Sequence, residues 1–249
     1  MRWQEAWEPI FGATSADPRL AGRLWHKEPL ESALIVFVPR KTESVASTSG
    51  PGLRLTLAVT GASGSIFAAE MLRALDSDAR VGRVDFIPSE AALRVFAEEM
   101  KLSGRNGLVE KLLGRPRAPG KIVQHSEADI GASVASGSYR SDGMVVLPCT
   151  MGTLAGIANG MASNLIERAA DVCLKEGRRL VLCVRETPFN RIHLRNMQFA
   201  ADAGATIFPV MPSLYNMPQD TTEMARQFVN RVLAHLGLPQ PGAFEWKAD

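Results

Sequence analysis

The chain of 249 residues is long enough to bury one sizeable hydrophobic core together with additional segments. Its 28 basic and 26 acidic side chains leave a net charge of +2, so composition gives no case for a nucleic-acid or membrane-surface partner. The longest early apolar run, residues 33–38, is far too short to cross a bilayer. Cys149, Cys173 and Cys183 have no metal-ligand spacing and lie in apolar stretches, which favours reduced thiols and a cytoplasmic location.

Residues 1–52 differ in composition from the rest of the chain. They contain three of the four tryptophans, Trp3, Trp7 and Trp25, followed by a short apolar run and a segment rich in serine, threonine and glycine. That composition is typical of a linker. We therefore predict an N-terminal arm and linker over residues 1–52, packed on its own subunit or a neighbour, and a domain over residues 53–249.

The first element of this domain is predicted as a buried strand that ends at residue 59. Gly61 and Gly64 then allow the backbone to turn steeply into a helix predicted over residues 65–75. A strand, a glycine turn and a helix form an anion site, because exposed backbone N–H groups and the positive helix end favour phosphate. The hydroxyl of Ser63 adds one more donor there.

The same alternation continues along the chain. A strand at residues 84–87 leads into a helix that we expect Ser89 to cap, and the basic residues 101–121 are predicted as a surface loop. The remaining elements are predicted as strands at residues 122–124, 144–147, 180–184 and 206–209, two helices on either side of Gly160, and helices at residues 192–203 and 222–236. Alternation of this kind predicts an α/β fold of three layers, with helices on both faces of a mostly parallel sheet.

Polar side chains follow four of these strands at the point where each strand ends. They are Ser63, Ser89, Thr150 with Thr153, and Arg185 with Glu186. Because ligands of open parallel sheets bind at the carboxyl ends of the strands, we expect these loops to meet at one rim and share a cavity. Hydroxyls, an arginine and helix N-termini suit a phosphate-bearing cofactor.

Four segments together resemble the UbiX-type flavin prenyltransferases: TGASGSIF, PCTMGTLAGIANG, ERAADVCLKEGRRLVLCVRETPFNRIHLRNM and PVMPSLYNMPQ. The resemblance covers roughly residues 53–246, and the third segment is too long and ordered for chance. It implies a Rossmann-like, flavodoxin-like flavoprotein that joins a dimethylallyl group from dimethylallyl phosphate to N5 and C6 of reduced FMN. It further implies that the product, prenylated FMN, serves a UbiD-type decarboxylase, that no metal is used, and that the chains form trimer-based homododecamers with the site between subunits.

The resemblance also implies roles for individual residues. The cofactor-binding positions are Gly61, Ala62, Ser63, Ser89, Thr150, Met151, Gly152, Thr153 and Arg185. The substrate-binding positions are Lys175, Tyr215, Arg231 and the C-terminal Trp246, with Arg168 added because it shares a predicted helix face with Lys175. The catalytic positions are Ser63, Glu99, Glu186 and Lys175.

The chemistry of prenyl transfer agrees with these roles. Breaking an allylic C–O bond leaves negative charge on the departing phosphate, which fixed cations such as Lys175 and Arg231 would stabilise. The second carbon bond requires a ring proton to leave, and the resemblance nominates Glu99 with Ser63 as the relay and Glu186 near the phosphate. Trp246 would form an aromatic wall that holds the allyl group.

Two positions depart from the family pattern. Gly152 stands where the family usually carries lysine or asparagine, and Asn216-Met217 replaces a common His-Arg pair. Losing a cation next to Tyr215 would weaken phosphate capture. A non-catalytic subunit that binds or carries FMN or prenylated FMN for a decarboxylase is therefore an alternative.

Two further enzyme classes share parts of the pattern. An NAD(P)-dependent reductase would use the same glycine turn with Glu90 on the ribose, but GASG lacks the full dinucleotide spacing. Flavin-dependent cysteine decarboxylases share the flavodoxin-like plan but rely on a histidine early in the fold that is not found here. His125 and His193 are predicted to be hydrogen-bonded structural histidines rather than bases.

Overall fold

The computed structural model describes residues 52–117 and 119–244. The chain divides into a unit of residues 1–43, which lies outside the described residues, and a unit of residues 44–249, which contains every element below. The predictions made for the N-terminal arm and for Trp246 fall outside the described residues. No helix within the described ranges is long and apolar enough to cross a membrane.

Six strands and seven α-helices are found in the described residues. The strands are β1 (Leu53–Val59), β2 (Val81–Pro88), β3 (Ile122–Gln124), β4 (Gly143–Cys149), β5 (Arg179–Val184) and β6 (Thr206–Ile207). The helices are α1 (Ser65–Ser77), α2 (Glu90–Met100), α3 (Leu108–Leu113), α4 (Met151–Ala158), α5 (Leu165–Lys175), α6 (Arg191–Asp202) and α7 (Thr221–His235), and a short 3-10 helix spans Ser133–Ala135.

The strands form one parallel sheet in the order β3-β2-β1-β4-β5-β6. Within the described residues, β1 lies in the middle of the sheet, and the chain then runs outward to β3 and crosses over to β4 on the other side of β1. Reversal of the strand order at β1 and β4 opens a crevice at the carboxyl edge, where ligands of such sheets bind. The predicted α/β fold with a parallel sheet is confirmed.

Side chains of the strands alternate between two hydrophobic cores, one on each face of the sheet. Leu57 and Phe86 belong to the first core, which α1, α3 and α7 cover, whereas Val146 and Leu182 belong to the second, which α4, α5 and α6 cover. The helices α5 and α7 therefore pack on opposite faces of the sheet. These two helices carry the cations that the family resemblance assigns to one substrate.

The prediction of a surface loop over residues 101–121 is wrong in its middle part. Residues 108–113 form α3, and Leu108, Val109, Leu112 and Leu113 are buried in the core beside α1. The surrounding basic residues hid this short apolar face. Several of them form ion pairs with neighbouring carboxylates: Arg105 with Glu90, Arg115 with Asp76, and Arg117 with Glu110.

Candidate active site at the carboxyl edge of the sheet

Hydrogen bonds join the carboxyl ends of β2, β1 and β4. The backbone N–H of Ser89 donates to the carbonyl of Val59 at 2.9 Å. The buried hydroxyl of Thr60 donates to the carbonyl of Pro148 and accepts from the N–H of Thr150, both at 2.8 Å. Thr60 was not predicted as a site residue. The one sequence feature that could have indicated it is its position directly after β1. These bonds hold the loops after the three strands side by side.

The end of β5 lies next along the same rim. The N–H of Arg185 donates to the carbonyl of Cys149 at 3.1 Å, which places Arg185 beside the loop after β4. The side chain of Arg185 is exposed, and no partner for its guanidinium is found in residues 52–117 and 119–244. The carboxylate of Glu186 does not pair with it and instead accepts from the N–H of Thr187 at 2.9 Å. Arg185 is thus available to an anionic ligand.

The carboxylate of Glu99 occupies the N-terminus of α1. It accepts from the backbone N–H groups of Gly64, at 3.1 Å, and Ser65, at 2.7 Å. Burial would raise the pKa of Glu99, but hydrogen bonds from Ser63, Ser65 and Gly64 outweigh it and lower the pKa. The structure brings Ser63 and Glu99 together. The anion at this helix end is an internal carboxylate, whereas the glycine turn alone predicted a phosphate there.

A glycine is required at position 61 because the turn packs closely against α2. A Cβ atom there would overlap the side chain of Ala91. Ser89 caps α2 as predicted, since its Oγ accepts from the N–H of Ala92 at 3.0 Å. The carboxylate of Glu127 accepts from the N–H of Glu90 at 2.7 Å, and nothing in the local sequence indicated this contact. The start of α2 therefore lies directly against the turn that holds Ser63.

The N-terminus of α4 presents two hydroxyls. Thr150 caps the helix, because its Oγ1 accepts from the N–H of Thr153 at 3.2 Å, and it donates to the Oγ1 of Thr153 at 3.0 Å. A Cβ atom at Gly152 would meet nothing within 4 Å, so this position faces open space. The side chains of Met151 and Ala62 are buried, which leaves their backbone atoms to contact a ligand.

A cavity of about 600 Å³ lies between β6, α7 and the segments that flank them. It brings together Tyr215 and Arg231, and Phe208 and Phe228 supply apolar walls. The side chain of Asn216 also lines it, and within the described residues both polar atoms of its amide are buried without a hydrogen-bond partner. The cavity thus combines a cation, a phenol and an unsatisfied amide with an apolar interior.

An aromatic contact connects this cavity to the site of Glu99. The ring of Phe228 packs edge-on against Phe67, with 5.2 Å between the ring centroids, and Phe67 lies in the first turn of α1. Among the described residues that line the cavity, however, Ser63, Thr153 and Arg185 are absent. Tyr215 and Arg231 therefore lie in a cavity that these three rim residues do not line.

Arg168 and Lys175 lie on α5, away from this cavity. Arg168 donates to the carbonyl of Ala135 at 3.1 Å and pairs with Asp171 at 2.8 Å. The ammonium of Lys175 pairs with Glu176 at 2.5 Å. Because α5 and α7 cover opposite faces of the sheet, one chain does not bring these cations to the phenol and cation in the cavity.

The two histidines considered in the sequence are hydrogen-bonded structural residues, as predicted. His193 completes a capping box with Asn190 at the start of α6, and His125 bonds to the buried carboxylate of Asp85 at 2.8 Å. Within the described part of the chain, no group of three or more His, Cys, Asp or Glu residues is arranged to hold a metal ion.

A model of the flavoprotein family matches residues 43–236. The flavin prenyltransferase UbiX of Alkalihalophilus pseudofirmus is 41% identical over 194 residues, which cover 77% of this chain and 95% of that protein. The dodecameric FMN-dependent UbiX-like decarboxylase of Escherichia coli O157:H7 is similar in structure, with a TM-score of 0.70, 39% identity, and coverage of 79% of this chain and 100% of that chain. AnUbiX (PadA1), solved in complex with FMN and dimethylallyl pyrophosphate, gives a TM-score of 0.70 at 37% identity and covers 80% and 99% of the two chains.

Proposed function

Because this chain belongs to the flavoprotein family and, within it, to the UbiX-type flavin prenyltransferases, we propose that it prenylates reduced FMN. The reaction transfers a dimethylallyl group to N5 and C6 of the flavin and gives prenylated FMN. The observation that supports it most directly is the pairing of Ser63 with Glu99 at the rim, within one aromatic contact of the cavity that holds Tyr215 and Arg231.

The residues at the rim fit FMN. Ser89, Thr150, Thr153 and the guanidinium of Arg185 would hold the phosphate, because hydroxyls and helix N-termini donate to phosphate oxygens and arginine binds them as a fork. We place the phosphate toward the start of α4 and the reactive edge of the ring toward Ser63 and its partner carboxylate. FMN, when bound in its reduced form, supplies the nucleophilic ring positions.

The cavity fits an allylic donor. Its apolar walls, Phe208 and Phe228, would contact the five-carbon chain, while Arg231 and Tyr215 would bind the phosphate. A buried amide without a partner costs roughly 1–3 kcal/mol, so the side chain of Asn216 would gain from a polar ligand. We take dimethylallyl phosphate as the donor. The pyrophosphate bound to AnUbiX carries one phosphate more than this donor.

Residues of this chain would stabilise the negative charge that forms on the phosphate and would accept the proton that leaves the flavin ring. When the C–O bond of the donor breaks, its electron pair leaves on the phosphate, and Arg231 with Tyr215 would stabilise that charge. Glu99 is ionised at neutral pH, because its pKa is lowered, and it would accept the departing ring proton through Ser63. The bond to C6 forms at the expense of the allylic double bond, which takes up one proton as the C6 proton leaves, and the N5 proton remains for the released phosphate. A carboxylate of low pKa holds a proton weakly, so we expect Glu99 to pass on the proton that it accepts.

We further propose that Arg168 and Lys175 serve the donor held by a neighbouring subunit. Their helix lies on the face of the sheet opposite α7, so only a second copy can bring them to Arg231. A trimer-based homododecamer would do this, and the dodecameric assembly of the Escherichia coli relative supports it.

Three finer assignments complete the proposal. The recipient of prenylated FMN would be a UbiD-type decarboxylase. Residues 1–52 would form an arm ahead of a flavoprotein domain over residues 53–249. We place the protein in the cytoplasm, where its three buried free thiols at Cys149, Cys173 and Cys183 would persist.

The test is anaerobic incubation of the full chain with reduced FMN and either donor, followed by mass spectrometry of the flavin. We expect a five-carbon addition to FMN that requires both the protein and the donor. Bound FMN without any adduct would favour the carrier alternative. A Glu186→Gln variant with undiminished turnover would remove Glu186 from the mechanism.

A further inference from the structure

The loop of residues 135–139 is hydrogen-bonded to guanidinium groups from both ends of α5. The Nε of Arg168 donates to the carbonyl of Ala135 at 3.1 Å. Arg178, just beyond α5, donates through Nη1 to the carbonyl of Tyr139 at 2.9 Å and through Nη2 to that of Gly137 at 2.6 Å. Because a guanidinium is a rigid planar fork, these bonds fix the orientation of the loop as well as its distance from α5.

Lys175 lies directly over the backbone of this loop. A Cβ atom added to Gly137 would stand 2.6 Å from the Nζ of Lys175 and would also overlap the carboxylate of Glu176. Both atoms are the ends of flexible side chains, so an added methyl group would displace them rather than the backbone, and because the φ of Gly137 is not positive the effect of glycine here is on space and not on backbone conformation. Any larger residue would have to push the ammonium aside.

The far end of the loop is anchored in the sheet. The hydroxyl of Tyr139 donates to the carboxylate of Asp85 at 2.7 Å, and Asp85 is only 1% exposed. The guanidinium carbons of Arg54 and Arg83 lie 5.8 Å and 6.0 Å from the centre of the Tyr139 ring. The same carboxylate accepts from Arg83 at 3.1 Å and bonds to His125. The loop is therefore held at both ends, and Gly137 lies between the two attachments.

We infer that the 135–139 loop is a positioning device for Lys175. In this inference Gly137 provides the space for the ammonium of Lys175. Tyr139, which is hydrogen-bonded to Asp85, fixes the position of the loop relative to that ammonium. The loop thereby sets where Lys175 meets the phosphate of the allylic donor. The inference rests on the proposed function, since Lys175 is the residue through which the loop acts.

The test compares Gly137→Ala with Gly131→Ala in the full chain. Gly131 lies in the same stretch, and a Cβ atom there would make an ordinary contact of 3.5 Å with Asp129. We expect Gly137→Ala to raise KM for dimethylallyl phosphate about tenfold, as for displacement of one charged hydrogen bond, with kcat and FMN affinity unchanged. Gly131→Ala should leave all three values at wild-type levels.

A double-mutant cycle separates positioning from a general structural effect. If Gly137 acts only through Lys175, adding Gly137→Ala to a Lys175→Ala variant should cause no further loss of affinity for dimethylallyl phosphate, measured by calorimetric titration. A Tyr139→Phe variant, which loses the bond to Asp85, should raise KM in the same direction. Additive effects of Gly137→Ala and Lys175→Ala, or an unchanged KM in Gly137→Ala, would overturn the inference.

Calorimetric titration with dimethylallyl phosphate distinguishes failure of the inference from failure of the proposed function. Weaker binding to Gly137→Ala than to Gly131→Ala would support the inference even if no adduct forms, in which case only the proposed transferase activity fails. Equal binding by the two variants, with normal prenyl transfer by the wild type, would leave the function standing and refute the positioning role. A wild type that binds no donor at all would refute both.

Discussion

The carboxylate of Glu99 has both a structural role and a proposed chemical role. It accepts from the N–H groups of Gly64 and Ser65, and a carboxylate in this position stabilises a helix by about 1 kcal/mol. It also bonds to Ser63, through which it would receive a proton. Glutamine keeps the shape and one acceptor of the side chain but cannot take up a proton, so it separates the two roles.

We expect Glu99→Gln to lower the rate of adduct formation about a hundredfold, because general-base assistance contributes at least that much. It should lower the free energy of unfolding by about 1 kcal/mol at pH 7. Since folding lowers the pKa of Glu99, its stabilisation is present above the ordinary value of 4.5 and is lost as pH falls below it. Urea unfolding at pH 7 and pH 3.5 should therefore show the two proteins converging in acid. A Glu98→Gln control should change neither quantity, and an active Glu99→Gln enzyme would contradict the relay.

Gly152 allows a direct test of why this chain departs from its family. The position follows Met151 at the start of α4 and faces open space, so a lysine side chain fits there without displacing a neighbour. We expect Gly152→Lys to leave Tm within a few degrees, because the higher helix propensity, about 0.5–1 kcal/mol, offsets an unfavourable cation at a helix N-terminus. The added cation should tighten the binding of FMN, whose phosphate we place at the start of α4, and Gly152→Ala should not. A large loss of Tm or of FMN binding in both variants would contradict this account.

The site residues that could be predicted from the sequence are those whose contacts are close to them along the chain. Ser89 and Thr150 cap helices with N–H groups three residues away, and a strand end followed by a cap is visible in a short window. Thr60 accepts a hydrogen bond from a residue that is 90 positions away, and Glu127 accepts one from a residue that is 37 positions away. No short sequence pattern encodes such contacts. Glu99 was found through family resemblance alone, because its partners at the start of α1 lie 35 and 34 positions earlier.

At the scale of elements, the strands and long helices followed from hydrophobic periodicity. The strand at residues 122–124 was predicted with its observed bounds, and the helices at residues 192–203 and 222–236 were predicted within one residue at each end. The short elements were harder, because α3 has only six residues among basic neighbours and β6 ends at Ile207, two residues before the predicted end. Short elements form through tertiary contacts, which local patterns do not report.

The segment that closes the cavity after α7 is tied to the turn between α1 and β2. Asp78 pairs with Arg80 at 2.6 Å and accepts from the Nε2 of Gln240 at 2.9 Å, and Arg80 also donates to the carbonyl of Pro239 at 2.9 Å. Hydrogen bonding to Arg80, chiefly, lowers the pKa of Asp78 to about 2, although partial burial opposes the shift. Pro239 and Gln240 line the cavity, so this ion pair helps to define its wall.

Replacing Asp78 with asparagine should remove this ion pair, and the resulting loss of stability should depend on pH. Because the folded pKa is depressed, the stabilisation is full above the ordinary value of 3.8 and is lost as pH falls through about 2. We expect Asp78→Asn to lower the free energy of unfolding by up to about 2 kcal/mol at pH 7, and by progressively less between pH 4 and pH 2. Urea unfolding measures the difference. Asp202→Asn, which alters an exposed hydrogen bond on α6, is the matched control, and a difference independent of pH would contradict an ionic clamp.

At the scale of the whole molecule, the sheet itself separates two groups of cations. Arg231 lies on α7 above one face, and Arg168 and Lys175 lie on α5 above the other. Because the fully buried strands of the sheet lie between them, no side-chain rearrangement within one chain joins the groups. If all three act on one donor phosphate, each site must be built from two copies of the chain, and the assembly is a condition of the chemistry.

Mixed oligomers test this directly. Lys175→Ala and Arg231→Ala should each be nearly inactive alone, because each removes a cation from every site. When the two variants are co-expressed, random assembly gives about a quarter of the sites an intact α5 from one subunit and an intact α7 from its neighbour, so activity should recover to about a quarter of the wild-type level. Co-expression of Lys175→Ala with Arg168→Ala is the control, because both residues come from the same helix and no mixture restores a site. Equal, negligible recovery in both mixtures would contradict a site built from two copies of the chain.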